Sequence, residues 1–483
     1  MESTPLVVRS RIAPSPTGYP HIGTIYQAWL NYSYARKTCG AFLVRIEDTD
    51  RTRFVEDAEE KLFEALDWFR ISEQESPRKG GDYGPYRQSE RLSIYHKYID
   101  ELLAKGYVYP CFCSQERLAE VRKEIQKKGL PPMYDKHCRN LSPEEVKERI
   151  AKGEKYVVRL KVPENETIIM NDLIRGEIKF DSNGVDDQIL IKSDGFPTYH
   201  FAVVVDDHLM EITHVVRGEE WLPSSPKHIL LYRMFGWDIP VFVHTPTLRN
   251  PDKSKLSKRQ GHTNVVWYKE QGFLPEAVLN FLSLLGWTHP EEKEIFDRDE
   301  FIKLFDFKDL SPAGPVFNEE KLRWMNGKYI REKLGDEEIF KRVKPYLKLE
   351  VSDETLKAAI PLIKERMEVF LDVNHLLKFL EPNIEIDVAE IKKQSKKEDL
   401  EIKKLLTDLR AGLASQAEWT TPALEQMVRG LKASYEDWKG KEYFMTIRVA
   451  TTAFPVTPPL FESMEILGRN LVLKRLNEVI EKL

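Results

Sequence analysis

The sequence predicts a multidomain chain, α/β with a parallel sheet in its first half and all-α in its last third. Three observations point there. Residues 7–50 read as strand, turn, helix, strand, and residues 100–200 break that pattern. Beyond about residue 322 the spacing becomes helical throughout. In the first unit, Val7-Val8-Arg9-Ser10-Arg11-Ile12 is strand-like, and Ile25, Ala28, Trp29, Tyr32 and Ala35 then recur on one helical face. Gly40 ends that helix, and Ala41–Ile46 reads as a buried strand. A βαβ unit implies a parallel sheet that takes ligands at the carboxyl ends of its strands. The middle region holds a basic helix near Gln115–Lys128 and short strands around Val157–Leu160 and Gln188–Ile191, and reads as an insertion. Strands at Phe201–Val205 and His214–Arg217 are expected to complete the sheet. Lys392–Lys397 reads as a charged linker between helices.

Size and composition bound the function classes. A chain of 483 residues exceeds a single core and implies two to four domains. With 41% hydrophobic and 31% charged residues, the balance is that of a globular protein. No apolar run reaches the ~18 residues of a membrane span, and the N-terminus lacks a signal pattern, so a cytoplasmic enzyme is expected. Four cysteines do not make a disulfide framework. A net charge of −5 means that a polyanionic partner must be met by local patches.

Two short segments carry the chemistry. Pro20-His21-Ile22-Gly23-Thr24 stands at the turn into the first helix. Helix N-termini present unpaired N–H groups and a positive dipole end, and so attract phosphate. His21 can donate an imidazole N–H there, Gly23 lets a flat base approach the backbone, and Thr24 adds a hydroxyl. Pro14, Pro16, Gly18 and Pro20 shape the turn. More than 230 residues later comes Lys255-Leu256-Ser257-Lys258-Arg259. Lysines three apart in a polar loop can neutralise the charge that develops on a triphosphate as pyrophosphate leaves. A Gly-rich P-loop is not found. Taken singly, the first segment is an ordinary proline-rich turn and the second a solvated basic loop. In this order they suggest ATP held at both ends and attacked at its α-phosphate.

Arg11–Gly18 with His21–Thr24 resembles the first signature of class I aminoacyl-tRNA synthetases, and Lys255–Arg259 resembles the second. More closely, the chain resembles the bacterial-type glutamyl-tRNA synthetases. Leu43–Arg51, Asp194–His200, Val204–His208, Val216–Trp221 and Leu284–Trp287 carry that likeness, which is dense from residue 7 to about 330. The glutaminyl enzymes, the nearest rivals, open Arg-Phe-Pro-Pro-Glu-Pro and end in β-barrels, whereas this chain opens Arg-Ile-Ala-Pro-Ser-Pro and ends in helices.

The resemblance implies a Rossmann-type catalytic domain over 1–98 and 205–250 and an inserted acceptor-binding lobe over 99–204. It also implies a helical stem-contact domain over 251–334 and helical anticodon-binding subdomains over 335–392 and 393–483. The implied reaction joins L-glutamate to the 3′ end of tRNA(Glu) through glutamyl-adenylate, with Mg²⁺ on the ATP, by a monomer. It allows tRNA(Gln) as a second acceptor, in which case an amidotransferase acts downstream. His21, Gly23, Thr24, Lys255 and Lys258 become catalytic residues. They bind ATP together with Glu220, Leu248, Ser257 and Arg259.

A glutamate substrate brings two carboxylates and one ammonium. A buried carboxylate is best met by a guanidinium fork. Arg11 and Arg217, at the ends of two predicted strands, are expected to bind the side-chain carboxylate and its surroundings. Glu47 suits the ammonium and Tyr199 closes the pocket, while Ala13 and Ser15 line it by resemblance. The competing reading makes Arg11–Glu47 a structural ion pair.

Cys111, Cys113 and Cys138 have the spacing of three zinc ligands. Relatives often add a Cys-x-His, but the last position here is Asn140. Tyr134 or His137 could supply the fourth ligand, since a related tRNA-modifying family uses a tyrosine four residues before the cysteine. Three ordinary thiols in a metal-free lobe is the equal alternative. Arg122, Lys123, Lys127 and Lys128, with Tyr107, Tyr109 and Phe112 for stacking, are candidates for acceptor-end contact. Ile447–Ala450 and Ile466–Arg469 stand where the family has related anticodon-region strings.

Overall fold

The computed structural model describes residues 7–50, 53–129, 131–256 and 263–483. The chain forms two compact units. One comprises Met1–Trp267 with Val278–Asn318, and the other Tyr268–Ala277 with Glu319–Leu483.

Among the described residues the first unit has nine strands: β1 (Arg9–Ile12), β2 (Ala41–Val44), β3 (Val108–Cys111), β4 (Val157–Leu160), β5 (Thr167–Asp172), β6 (Gly176–Asp181), β7 (Ile189–Ile191), β8 (His214–Gly218) and β9 (Val241–Thr245). Six make the main sheet in the order β2-β1-β8-β9-β5-β6. Pairing is parallel from β2 to β5 and antiparallel only in the β5–β6 hairpin. β3, β4 and β7 form a separate antiparallel sheet.

The βαβ unit forms as expected, and its helix spans Ile22–Lys37 with the five expected residues buried. Its end differs in detail. Cys39 takes the left-handed conformation, at φ 54°. Gly40 is needed for another reason: a Cβ there would stand 1.9 Å from the Val8 carbonyl oxygen. This close approach lets the helix return directly into β2.

Three expectations are corrected. Phe201–Val205 is not a strand but part of a helix, Tyr199–Leu209, with every residue from Phe201 to Asp207 buried. An apolar run buried on all sides has no period to separate helix from strand, and its valines imitate a strand. The region expected as an insertion is interleaved with the sheet, because the β5–β6 hairpin adds to the edge of β9. The charged run from Lys392 is not a linker at its start: Val388–Ser395 is helical, with Lys396 as a left-handed cap.

The second unit has no strand among the described residues. Its core includes a buried arginine, Arg475, which donates to the carbonyls of Thr451, Phe379 and Glu381 at 2.7–2.9 Å and so ties three segments together. No helix among the described residues is long and apolar enough to cross a membrane.

Candidate active site

A cavity of about 740 Å³ opens at the carboxyl edge of the main sheet. Its wall is made by the segments that leave β1, β2, β8 and β9, where a parallel sheet exposes its strand ends.

At one end stands the first signature. His21 is the N-cap of Ile22–Lys37, and its Nδ1 accepts the Gly23 N–H at 2.9 Å. The cap turns the imidazole over the helix end. Gly23 suits this geometry, since a Cβ on it would lie 3.0 Å from His21 Nδ1 and the imidazole would have to shift. His21, Gly23 and Thr24 all line the cavity.

The second signature is described at Lys255 and Leu256, whereas Ser257, Lys258 and Arg259 lie outside the described residues. Lys255 and Leu256 line the same cavity as His21. On the far side of the undescribed stretch, Asn264 forms a bridge with His21, and Val265 N–H donates to the Pro20 carbonyl at 3.2 Å. The later flank of the stretch therefore pairs with the signature turn, and the earlier flank shares its cavity. Lys255 Nζ lies 3.5 Å from Glu220 Oε1, and Glu220 and Leu248 also line the wall.

Arg11, Ala13, Ser15, Glu47, Tyr199 and Arg217 all line the cavity as well. The partners of Arg11 and Glu47 go against the competing reading of an ion pair between them. Arg11 and Glu47 do not pair with each other. Arg11 is buried, with Nε and Nη2 each 2.8 Å from an Asp207 oxygen. Arg45, fully buried, donates to Asp207 at 2.8 Å and to Glu47 at 3.2 Å. Arg91 and Asp206 complete the cluster at 2.7 Å. Three guanidinium groups thus face three carboxyls. Burial pushes the Glu47 carboxyl up to about 7, against the pull of Arg45 and Arg11.

Arg217 is different. Its Nε donates to His244 Nε2 at 3.0 Å, Nη1 to His228 Nδ1 at 3.0 Å, and Nη2 to Ser225 Oγ at 2.9 Å. Tyr199 Oη lies 3.5 Å away, and the Tyr199 ring packs tilted against Trp221, whose side chain also faces the cavity. No carboxylate among the described residues forms an ion pair with Arg217, although it is only 6% exposed.

Sequence reasoning gave no role to Asp207, Arg45, Trp221, His228 or His244. The acidic pair Asp206-Asp207 inside an apolar run was the available signal for the cluster, because buried carboxylates demand cationic partners. The histidines carried no signal, because their role depends on which strands become neighbours.

In the antiparallel lobe, Cys113 Sγ lies 3.6 Å from Cys138 Sγ, and Tyr134 Oη lies 3.3 Å from both Cys111 Sγ and Cys113 Sγ. The three sulfurs all fall within 4.8 Å of one another. His137 is not in this group. Arg122, Lys123, Lys127 and Lys128 are exposed. Of the aromatic residues expected to stack, only Tyr107 is exposed. Tyr109 is buried, with its hydroxyl on Asp187 at 2.7 Å, and Phe112 lies under the Arg149 guanidinium at 4.4 Å.

Comparison with known proteins agrees with this geometry. The family described as "tRNA synthetases class I (E and Q), catalytic domain" matches residues 7–324, and "Anticodon binding domain" matches residues 338–480. A glutamate–tRNA ligase of Thermus thermophilus is 47% identical over 478 residues, covering 98% of this chain and 100% of the relative. One from Acidothermus cellulolyticus is 46% identical, covering 98% and 95%. The crystal structure of a glutamate tRNA ligase from Elizabethkingia meningosepticum in complex with its amino acid superposes with a TM-score of 0.90 at 36% identity, covering 99% of this chain and 100% of that one. The chain belongs to the class I aminoacyl-tRNA synthetases, in the glutamate–tRNA ligase family.

Proposed function

We propose that the cavity activates L-glutamate with ATP and transfers it to the 3′ end of tRNA(Glu). The observation that carries this reading is that one cavity is lined at once by His21, Gly23 and Thr24, by Lys255, and by Arg217, Tyr199 and Glu47.

The triphosphate lies against the helix N-terminus beside His21, and the adenine lies over Gly23 and against Leu248. Lys255 and Lys258 neutralise the departing pyrophosphate, with Ser257 and Arg259 completing the loop. Mg²⁺ accompanies the ATP and screens its phosphates. Arg217 takes the substrate's side-chain carboxylate, Tyr199 closes over it, and Glu47 faces the ammonium. Arg11, with Ala13 and Ser15, forms the floor and acts through Asp207. Held this way, the α-carboxylate attacks the α-phosphorus and displaces pyrophosphate. The terminal ribose hydroxyl of the tRNA then attacks the activated carbonyl and releases AMP. No covalent enzyme nucleophile is needed, because positioning and charge stabilisation carry both displacements.

The exposed basic face of Gln115–Lys127, with Lys128 beyond it, meets the acceptor end, and the helical unit meets the anticodon. The division at residues 250, 334 and 392 belongs to this reading. The cysteine cluster suits zinc: tetrahedral Zn–S bonds of ~2.3 Å set sulfur atoms about 3.8 Å apart, close to the Cys113–Cys138 spacing. Cys111, Cys113, Cys138 and Tyr134 would hold it, and the metal would pin β3 to the 134–140 turn.

The test is pyrophosphate exchange with glutamate, with glutamine and with neither, each with and without tRNA. Exchange driven by glutamate supports the reading; exchange driven by glutamine instead, or no exchange with any amino acid, overturns it. Charging of purified tRNA(Glu) and tRNA(Gln) decides whether the second acceptor is used. Lys258→Ala is expected to keep tRNA binding and lose most adenylate formation. Wild-type rates in that variant would remove the loop's assigned role.

A further inference from the structure

Arg217 is bonded directly to neutral acceptors, one of them backed by a buried carboxylate. Asp172, at the end of β5, is buried and fully engaged. Its Oδ1 accepts the backbone N–H groups of Ile174 and Arg175 at 3.0 Å, and its Oδ2 accepts the His244 N–H at 2.9 Å and lies 2.7 Å from His244 Nδ1. A carboxylate facing Nδ1 fixes the proton there, which leaves Nε2 as a lone pair. That lone pair receives Arg217 Nε–H at 3.0 Å. On the other side, His228 Nδ1 receives Arg217 Nη1–H, and His228 Nε2 lies 3.1 Å from His200 Nδ1. Burial, the largest influence on each, holds both His228 and His200 below the ordinary imidazole range, so this side is also uncharged.

The consequence is chemical. A guanidinium bonded to neutral acceptors keeps its charge for a ligand, whereas one already on a carboxylate does not. The acceptors also fix the plane of the fork, so its remaining N–H groups point one way before the substrate arrives. We propose that Asp172 and His244 are positioning residues for substrate choice: through the His244 tautomer they hold Arg217 as an uncompensated, pre-aimed fork that accepts the carboxylate of glutamate and rejects the carboxamide of glutamine. The inference rests on the reading of Arg217 as the carboxylate site and extends it to residues that do not line the cavity. A carboxamide brings no charge to balance the buried guanidinium, and its NH₂ would turn donor against donor.

The test is steady-state aminoacylation of tRNA(Glu) by the full chain, with kcat and KM for glutamate and ATP, kcat/KM for glutamine, and thermal melting of each variant. His244→Leu removes the acceptor. It is expected to raise the glutamate KM by about tenfold or more, leave the ATP KM within twofold, and narrow the glutamate-to-glutamine ratio. His244→Gln restores an acceptor oxygen and is expected to recover most of that loss. Asp172→Asn is nearly isosteric, yet whichever way its amide turns an N–H meets an N–H. It is expected to follow His244→Leu, because the orientation that opposes one backbone N–H rather than two sets the amide N–H against Nδ1, so the imidazole proton moves to Nε2 and confronts Arg217. A folded His244→Leu with wild-type glutamate KM, or a His244→Gln no better than it, overturns the inference. If His244→Leu melts below the assay temperature, Asp172→Asn decides on the same criterion. Arg217→Lys separates the two claims. A change confined to the ATP KM sinks the carboxylate site itself. A change in the glutamate KM, with wild-type values in the His244 and Asp172 variants, sinks the positioning role alone.

Discussion

Arg11 and Arg217 both line the cavity, and their surroundings do opposite things. Arg11, Arg45 and Arg91 face Asp207, Glu47 and Asp206, so their charge is balanced inside the protein. Arg217 is also buried, but it rests on two imidazoles, a serine hydroxyl and the face of Phe242. The first set is a scaffold: it ties β1 and the end of β2 to the helix Tyr199–Leu209. The second, on the reading proposed above, is a receptor for the substrate carboxylate. Burial alone does not mark a binding arginine, and the identity of its partners does.

The contrast breaks most visibly at Asp207. Asp207→Ala leaves Arg11 and Arg45 facing each other in a dry interior, and is expected to cost about 3–5 kcal/mol of stability. Chemical denaturation checks this, and a loss below about 1 kcal/mol would deny the cluster its structural role. Next in size is Arg217→Ala. It is expected to lower kcat/KM for glutamate by about a hundredfold or more, with a smaller change in melting temperature and little in ATP affinity. An effect confined to ATP would move Arg217 out of the amino-acid pocket.

The smallest effect sharpens the contrast at Glu47, the member of the balanced set that also faces the cavity. Its carboxyl is raised to about 7 by burial, with Arg45 and Arg11 opposing and Asp207 adding to the rise. Only the ionised form attracts the substrate ammonium, so kcat/KM for glutamate should rise with pH through about 7 and flatten above it. Glu47→Gln should lower the plateau and abolish that limb. A limb that survives the substitution belongs to another group.

Much of the site was legible along the chain. His21, Gly23 and Thr24 are read together because a helix N-terminus makes their roles local. Arg217 was legible as a strand-end arginine, and β1 and β8 do pair in parallel. Asp172 and His244 were not. They are 72 residues apart, and they meet because the β5–β6 hairpin, inside a region that reads as an insertion, docks on β9. The helix at Tyr199–Leu209 was missed for a related reason: full burial removes the alternation that separates helix from strand, and with it the sign that Asp207 would point at Arg11.

Residue types along the chain disclosed the two signatures, the parallel βαβ start and the helical last third. Each of these rests on residue types at short, fixed spacing, and local backbone geometry is enough to interpret them. Tertiary structure decided which buried charges are spent and which is kept. That choice depends on long-range strand order, because a charge separated from water is governed by whatever lies within a few ångströms, wherever it sits in the chain.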